Sequence, residues 1–482
     1  MYTFSSKLKT FSFILMIIGV IGIGVGFYNA PKNIDEVEKI LASESHGEHH
    51  SEVAKATEEE VVPVKHDEIV KEVDTIVSDS VVATTDSVKV AEVVSVEKVV
   101  KEKEVSKEDA AAEHKEHLEH VLHQLQNKPW AALYVACIFF MLVSLGALAF
   151  YAIQQVAQAG WSPVLFRVMQ GITAYLPVGS VIFFVILVLC GLHFNHLFPW
   201  LDPEVVAHDK IIQNKAGYLN FPFWIIRAFV FLLGWNLYRY FSRKNCLAQD
   251  EATDNSFYKK NFNISAMFLV FFIVTESIMS WDWIMSIDPH WFSTLFGWYV
   301  FASFFVSGIT TICMVTLYLK SKGYLENVNS SHIHDLAKFM FGISVFWTYL
   351  WFSQFMLIWY ANIPEEVTYF VTRIEKYNLP FFGAIVMNFV FPILILINTD
   401  FKRITWVLVM AGIVILSGHY IDFFNMIMPS SVGDQWFIGV SEISSVLFFF
   451  GLFIFVVFTA LTKAPLLPKR NPYIEESKHF HY

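Results

Sequence analysis

Two short stretches carry ionisable residues inside otherwise apolar surroundings. Glu276 and Asp282 lie in TESIMSWDWIMSIDPHW, from Thr275 to Trp291, and His419 and Asp422 lie in ILSGHYIDFFNMIMPS, from Ile415 to Ser430. The two align, with Ser277, Asp282, Ile287 and Pro289 matching Ser417, Asp422, Ile427 and Pro429. Carboxyl and imidazole groups can take up and release protons when their surroundings tune them. In hydrocarbon an ionised group costs about 2.5–3.5 kcal/mol, so such residues mark proton relays, ion paths or ligand pockets. The bland alternative is a buried pair that only fixes helix packing. For Asp282 and Asp422 it is a cap where the helix leaves the membrane, ended by the proline seven residues on.

The elements that must position these groups are membrane spans. Of 482 residues, 55% are apolar, 17% aromatic and 16% charged, against roughly 25% charged in soluble proteins. Runs long enough to cross about 30 Å of hydrocarbon fall near 9–28, 130–156, 173–195, 222–241, 262–283, 294–319, 337–361, 379–399, 403–422 and 436–461. Each is expected to be helical, because a spanning backbone must satisfy its own hydrogen bonds. The first is read as an uncleaved anchor, a cleaved signal peptide being the alternative. With the N-terminus inside, the short inner loops and adjoining span ends hold seventeen Lys and Arg residues. The outer ones hold only Lys210, Lys215, Arg373 and Lys376. That asymmetry predicts both termini in the cytoplasm.

NFPFW at Asn220–Trp224 and NLPFF at Asn378–Phe382 open the fourth and eighth spans, so spans four and five match eight and nine. The expected architecture is all-α, with two parallel four-helix bundles (spans 2–5 and 6–9) flanked by spans 1 and 10. In domain terms this gives 1–30 (first span), 31–128 (acidic insert), 129–291 and 292–435 (the bundles), and 436–482 (last span and tail). In the first bundle Arg227 lies at a depth similar to Glu276, about two helical turns inside, and the two are expected to pair. His193 is expected nearby. In the second bundle the matching positions are Ile385 and Leu416, and polar groups come one turn away as Asn388 and His419, with Gln354 at comparable depth. Asp288 and His290 are placed in a water-facing loop.

The insert from Pro31 to Lys128 holds 24 acidic and 12 basic residues and few aromatics, a composition that favours poor order. It is expected on the outer, periplasmic side. Its end, EDAAAEHKEHLEHVLHQL, has helix-forming composition leading into the second span. His114, His117, His120 and His123 recur there every three residues, and a solvated helix is favoured over a metal site. Cys137, Cys190, Cys246 and Cys313 stand singly, without CxxC or CxxCH, which argues against covalent haem or an iron–sulfur cluster on this chain. The few histidines near spans (His193, His196 and His419) do not give the paired pattern of a haem b site. The net charge of −10 gives no reason to expect nucleic acid as a partner.

The arrangement resembles polysulfide-reductase-type membrane subunits. More closely it is similar to quinone-binding subunit 2, the F subunit, of bacterial alternative complex III, a quinol:cytochrome c oxidoreductase. The residues that carry the resemblance are LHFNHLFPWLDP (Leu192–Pro203), NFPFWIIRAFVFLLGWNLYRYFS (Asn220–Ser242), ESIMSWDWIMSIDPHWFSTLFGWYVF (Glu276–Phe301) and WFSQFMLIWYANIPEE (Trp351–Glu366). It covers about residues 129–465 and the first span, but not the insert. It implies a bacterial inner-membrane complex in which quinol is oxidised. Haem c and iron–sulfur clusters would then sit in partner subunits: a multihaem cytochrome c subunit, an iron–sulfur subunit, and a sister ten-helix quinol-binding subunit, with a terminal oxidase as a further partner. This chain would hold no redox centre and would face quinone, conduct protons, or both. The polar layers read from the residues would then serve as a quinone or proton path through His193, Arg227, Glu276 and Asp282 in the first bundle, and a proton path through Gln354, Asn388, His419 and Asp422 in the second. Phe272, Trp281, Trp283, Trp347, Trp351, Trp359 and Tyr360 either line a quinone slot or form packing and interfacial belts. A secondary transporter and a purely structural anchor are the competing readings.

Overall fold

The computed structural model of the protein describes residues 1–41 and 107–481. Most of the acidic insert, with His46, His49, His50 and His66, therefore lies outside the described residues. His114, His117, His120 and His123 all fall on the helix Lys107–Val156, and all four are exposed.

Among the described residues the chain is helical without strands, and ten helices are long and apolar enough to cross a membrane. They are α1 (Ser6–Tyr28), α2 (His117–Val156), α3 (Pro163–Gly191), α4 (Phe221–Gln249), α5 (Ser256–Ile287), α6 (Leu295–Ser321), α7 (Ser330–Ala361), α8 (Asn378–Leu396), α9 (Thr405–Val432) and α10 (Val440–Leu461). This is a multi-pass membrane protein.

Two helices lie at the centre. The most apolar stretches of α2 and α6 are 94% and 89% buried, against 28% for α7. They touch through glycine: a Cβ on Gly146 would meet the Phe304 carbonyl at 2.5 Å, and one on Gly308 would meet the Ala147 nitrogen at 2.6 Å. In lipid no hydrophobic gain drives helices together, so close backbone approach at small residues supplies the packing. Around this crossing α4 packs on α3 and α5, while α6 packs on α7 and α9, and α8 on α7 and α9. α1 lies along α10, where a side chain at Gly19, Gly22 or Gly26 would strike Phe448, Ser444 or Ser441.

The connections 192–220, 288–294, 362–377 and 433–439 share one end of the molecule, the upper end. Lys215 donates to the Pro289 carbonyl there, Tyr377 to that of Gly433 and Trp436 to that of Lys376. At the lower end the tail folds back: Ser477 donates to the Trp161 carbonyl and accepts from Val164, and its own carbonyl is 2.9 Å from His332 Nε2.

Three boundaries that bear on the polar residues depart from expectation, and one helix is irregular inside. α9 does not stop at Asp422; it runs through Pro429 to Val432. Proline removes one donor and crowds one carbonyl, which a helix near its end, packed on its neighbours, tolerates. α3 ends at Gly191, and His193 follows at φ 60°. α7 begins at Ser330, where Asn329 accepts from the Ser331 and His332 amides, so His332 and His334 are buried in the helix rather than lying in a loop. Finally, α8 contains a π turn at Val386–Val390.

Candidate functional site

Two buried aspartates organise the upper half of the molecule. In the first half, Asn220 caps α4 by accepting from the Phe223 amide, and Pro222 sits in its first turn. This sets Arg227 facing the end of α5. Arg227 Nε donates to Asp282 Oδ2 at 2.6 Å and Nη2 to Oδ1 at 3.0 Å, the bidentate geometry that suits guanidinium and carboxylate. Tyr218 Oη donates to Oδ1 at 2.7 Å. Its ring lies 4.0 Å from the guanidinium, and its carbonyl accepts from Nη1. Tyr218 precedes α4; burial, with the Asp282 carboxylate beside it, pushes its phenol up, so it remains a donor. Trp224 and Ser286 donate to the Asp282 carbonyl. Asp282 is 0% exposed, so it is a buried member of an ion pair and not an interfacial cap.

The expected Arg227–Glu276 pair is therefore corrected. Six residues along a helix turn through roughly 600°, which leaves Glu276 about 240° around α5 from Asp282. Arg227 reaches the nearer face. Glu276 is buried, accepts from Ser277 Oγ at 2.7 Å through Oε1, and its Oε2 has no hydrogen-bond partner. His193 is exposed beyond the end of α3, and the hydrogen bonds to the Asp282 carboxylate come from Arg227 and Tyr218. Asp288 is half-buried, whereas His290 is exposed and meets Asp209 at 2.5 Å.

In the second half, α6, α7 and α9 converge on Asp422, which is 2% exposed. Tyr299 donates to Oδ1, while Ser303 Oγ at 2.7 Å and Trp347 Nε1 at 2.9 Å donate to Oδ2. His419 Nδ1 lies 2.9 Å from the same Ser303 hydroxyl and 3.9 Å from Asp422. Asn388, in the π turn of α8, sits where a Cβ on Gly418 would collide with it at 2.2 Å, one residue from His419. Neither amide atom of Asn388 nor His419 Nε2 has a hydrogen-bond partner, although all are buried. π turns often mark functional positions. Gln354 accepts from Ser293 at 2.7 Å and, with Tyr299, Trp351, Tyr369, Arg373, Asp422 and Asn425, lines a cavity of about 10 Å³, room for one water.

Arg373 completes this half and was expected only as a loop charge. It lies on the helix Pro364–Glu375, 3% exposed, with its guanidinium 3.4 Å from the Tyr369 ring. Nη1 donates to the Tyr369 carbonyl and Nε to that of Asn425. Arg227 treats Tyr218 in the same way. Tyr369 and Arg373 also line a groove of about 290 Å³ at the upper end, with Asp288, Pro289, His290 and Pro429. They thus stand between that groove and the water-sized cavity beside Asp422. The signal was a Tyr–Arg pair four residues apart in TYFVTRIE.

A third cluster, at the lower end, was missed. Gln155, Gln170, Ser242 and Asn261 all donate to Tyr151 Oη at 3.0–3.3 Å. Arg167 joins it through Gln170 and pairs with Asp250 at 2.5 Å. Only Arg167 and Asp250 among these are charged, and the members come from α2, α3, α4 with the residue after it, and α5, so no single local spacing announces the cluster.

Of the aromatic residues, Trp283 and Trp347 are fully buried, while Trp359 and Tyr360 are exposed as belt residues would be. No protein-family model matches the chain, and no curated protein sequence matches it.

Proposed function

We propose that this chain is the proton-handling membrane subunit of a bacterial respiratory quinol:cytochrome c oxidoreductase of the alternative complex III type. It would lie in the inner membrane with both termini cytoplasmic. The observation that carries the reading is Asp422: a fully buried carboxylate held by three neutral donors, beside a histidine and a one-water cavity. A carboxylate hydrogen-bonded to no Arg or Lys among the described residues, with a water-sized approach, is suited to load and unload a proton. Asp282, locked in a bidentate pair, is suited to hold its charge. A quinone head needs several hundred Å³ of pocket, and the cavity at Asp422 is about 10 Å³, so the cluster supports proton conduction over quinone binding. Quinol oxidation would then belong to the sister subunit, and electrons to the haem c and iron–sulfur partners.

The test uses the intact complex in proteoliposomes. Asp422→Asn is expected to lower protons released per electron while quinol still reduces cytochrome c. Unchanged proton release with Asp422→Asn and Glu276→Gln, the complex remaining assembled, would leave this chain a structural anchor. Substrate uptake by the chain alone would point to a transporter.

A further inference from the structure

Seven arginines occur in the chain. The three most deeply buried are spoken for: Arg167 by Asp250, Arg227 by Asp282, and Arg373 by backbone carbonyls. Arg239 and Arg243, one turn apart near the lower end of α4, are different. Both are half-buried, and Arg239 Nε is a buried donor without a hydrogen-bond partner. Among the described residues no carboxylate pairs with either; Asp250 is already taken by Arg167. Instead the guanidinium groups repel one another, Arg167 acting on Arg243 and Arg243 on Arg239.

The same stripe of α4 continues to Asn236, three residues before Arg239. Asn236 Nδ2 donates to Ser180 Oγ on α3 at 2.9 Å, which places this stripe along the α3–α4 seam. Asn236 Oδ1 is buried and without a partner. On either side, Leu233, Leu237, Tyr240 and Phe241 are 44–57% exposed on a helix apolar enough to span a membrane.

Two adjacent, uncompensated guanidinium groups in a half-buried seam favour an anion. Phosphate oxygens match guanidinium donors in geometry and charge. The exposed Leu, Tyr and Phe side chains beside them offer a bed for hydrocarbon. We propose that the α3–α4 seam at Arg239 and Arg243 binds the phosphate of an anionic phospholipid, whose acyl chains lie on Leu233, Leu237 and Phe241. Basic pockets between spanning helices suit such headgroups. The inference is independent of the respiratory reading, since it uses neither aspartate cluster.

The experiment is native mass spectrometry of the purified full-length protein, titrated with phosphatidylglycerol or phosphatidylcholine of equal chain length. At roughly 1 kcal/mol for each basic residue near the membrane surface, two arginines give about thirty-fold preference for the anionic lipid. Arg239→Gln with Arg243→Gln is expected to abolish that preference, Arg239→Gln alone to reduce it about five-fold, and Arg239→Lys with Arg243→Lys to retain most of it. Equal retention of both lipids by the wild type would overturn the proposal without any variant. So would undiminished preference in the double glutamine variant. Inorganic phosphate is the third arm: if it binds the site as well as the lipid does, the ligand is a free anion and the lipid assignment fails.

Discussion

Arg227 and Asp282 are joined by two hydrogen bonds, of 2.6 and 3.0 Å, between side chains of neighbouring helices, and neither residue is more than 8% exposed. Removing one partner strands the other. Arg227→Met is expected to destabilise the protein by about 3–5 kcal/mol, because a buried carboxylate is left unpaired. Combining Arg227→Met with Asp282→Leu should recover part of that loss. Thermal unfolding in detergent, run as a double-mutant cycle, measures the coupling. Additive effects would deny the pair its energetic role.

Ser303 is the hinge of the second cluster, since one hydroxyl touches both His419 and Asp422. Ser303→Ala removes that link and one donor to the carboxylate. A hydrogen bond to a charged group contributes about 1.5–3 kcal/mol, so Ser303→Ala is expected to lower stability by about that much in thermal unfolding in detergent. Ser303→Thr, which keeps the hydroxyl, should retain most of it. Equal losses in the two variants would indicate that Ser303 only packs.

Gly308 faces the α2 backbone, and a Cβ there would lie 2.6 Å from Ala147. Gly308→Leu is expected to force α2 and α6 apart and cost about 1–3 kcal/mol or more. Gly24→Leu, at a glycine with open space around it, is the control. Similar melting temperatures for both variants would show the crossing to be loose.

Asp209 ties the upper loops together. The amide of Ile212, first of all, and the His290 ring hold its carboxyl below the ordinary value. A carboxyl whose folded value is depressed contributes stability above the unfolded pKa of about 3.9, and loses it as pH falls through the folded value. Protease access to the loop around His290 should therefore rise below about pH 4. In Asp209→Asn it should be raised already at pH 6 and nearly independent of pH down to 3. A pH step retained in that variant would assign the effect elsewhere.

The ten spans were legible because lipid imposes a crude and local rule: about twenty apolar residues, hydrogen-bonded within themselves. The polar positions were legible for the same reason, since Glu276, Asp282, His419 and Asp422 stand out against an apolar background wherever their partners lie. Boundaries were less so. α9 passes Pro429, and α7 begins seven residues before the expected 337, because capping by Asn329 and packing past Pro429 are settled by neighbours rather than by hydropathy.

Partnership is what the sequence by itself left undetermined. Arg227 stands at a depth similar to Glu276, yet it pairs with Asp282, because azimuth around a helix and the tilt of its neighbour decide which carboxylate a guanidinium meets. Arg373 entered the second half from a short helix outside the spans, and Tyr151 gathered four donors from three spans and from the start of α3. Composition fixed where charge was costly. Only the packed helices decided which groups share that cost.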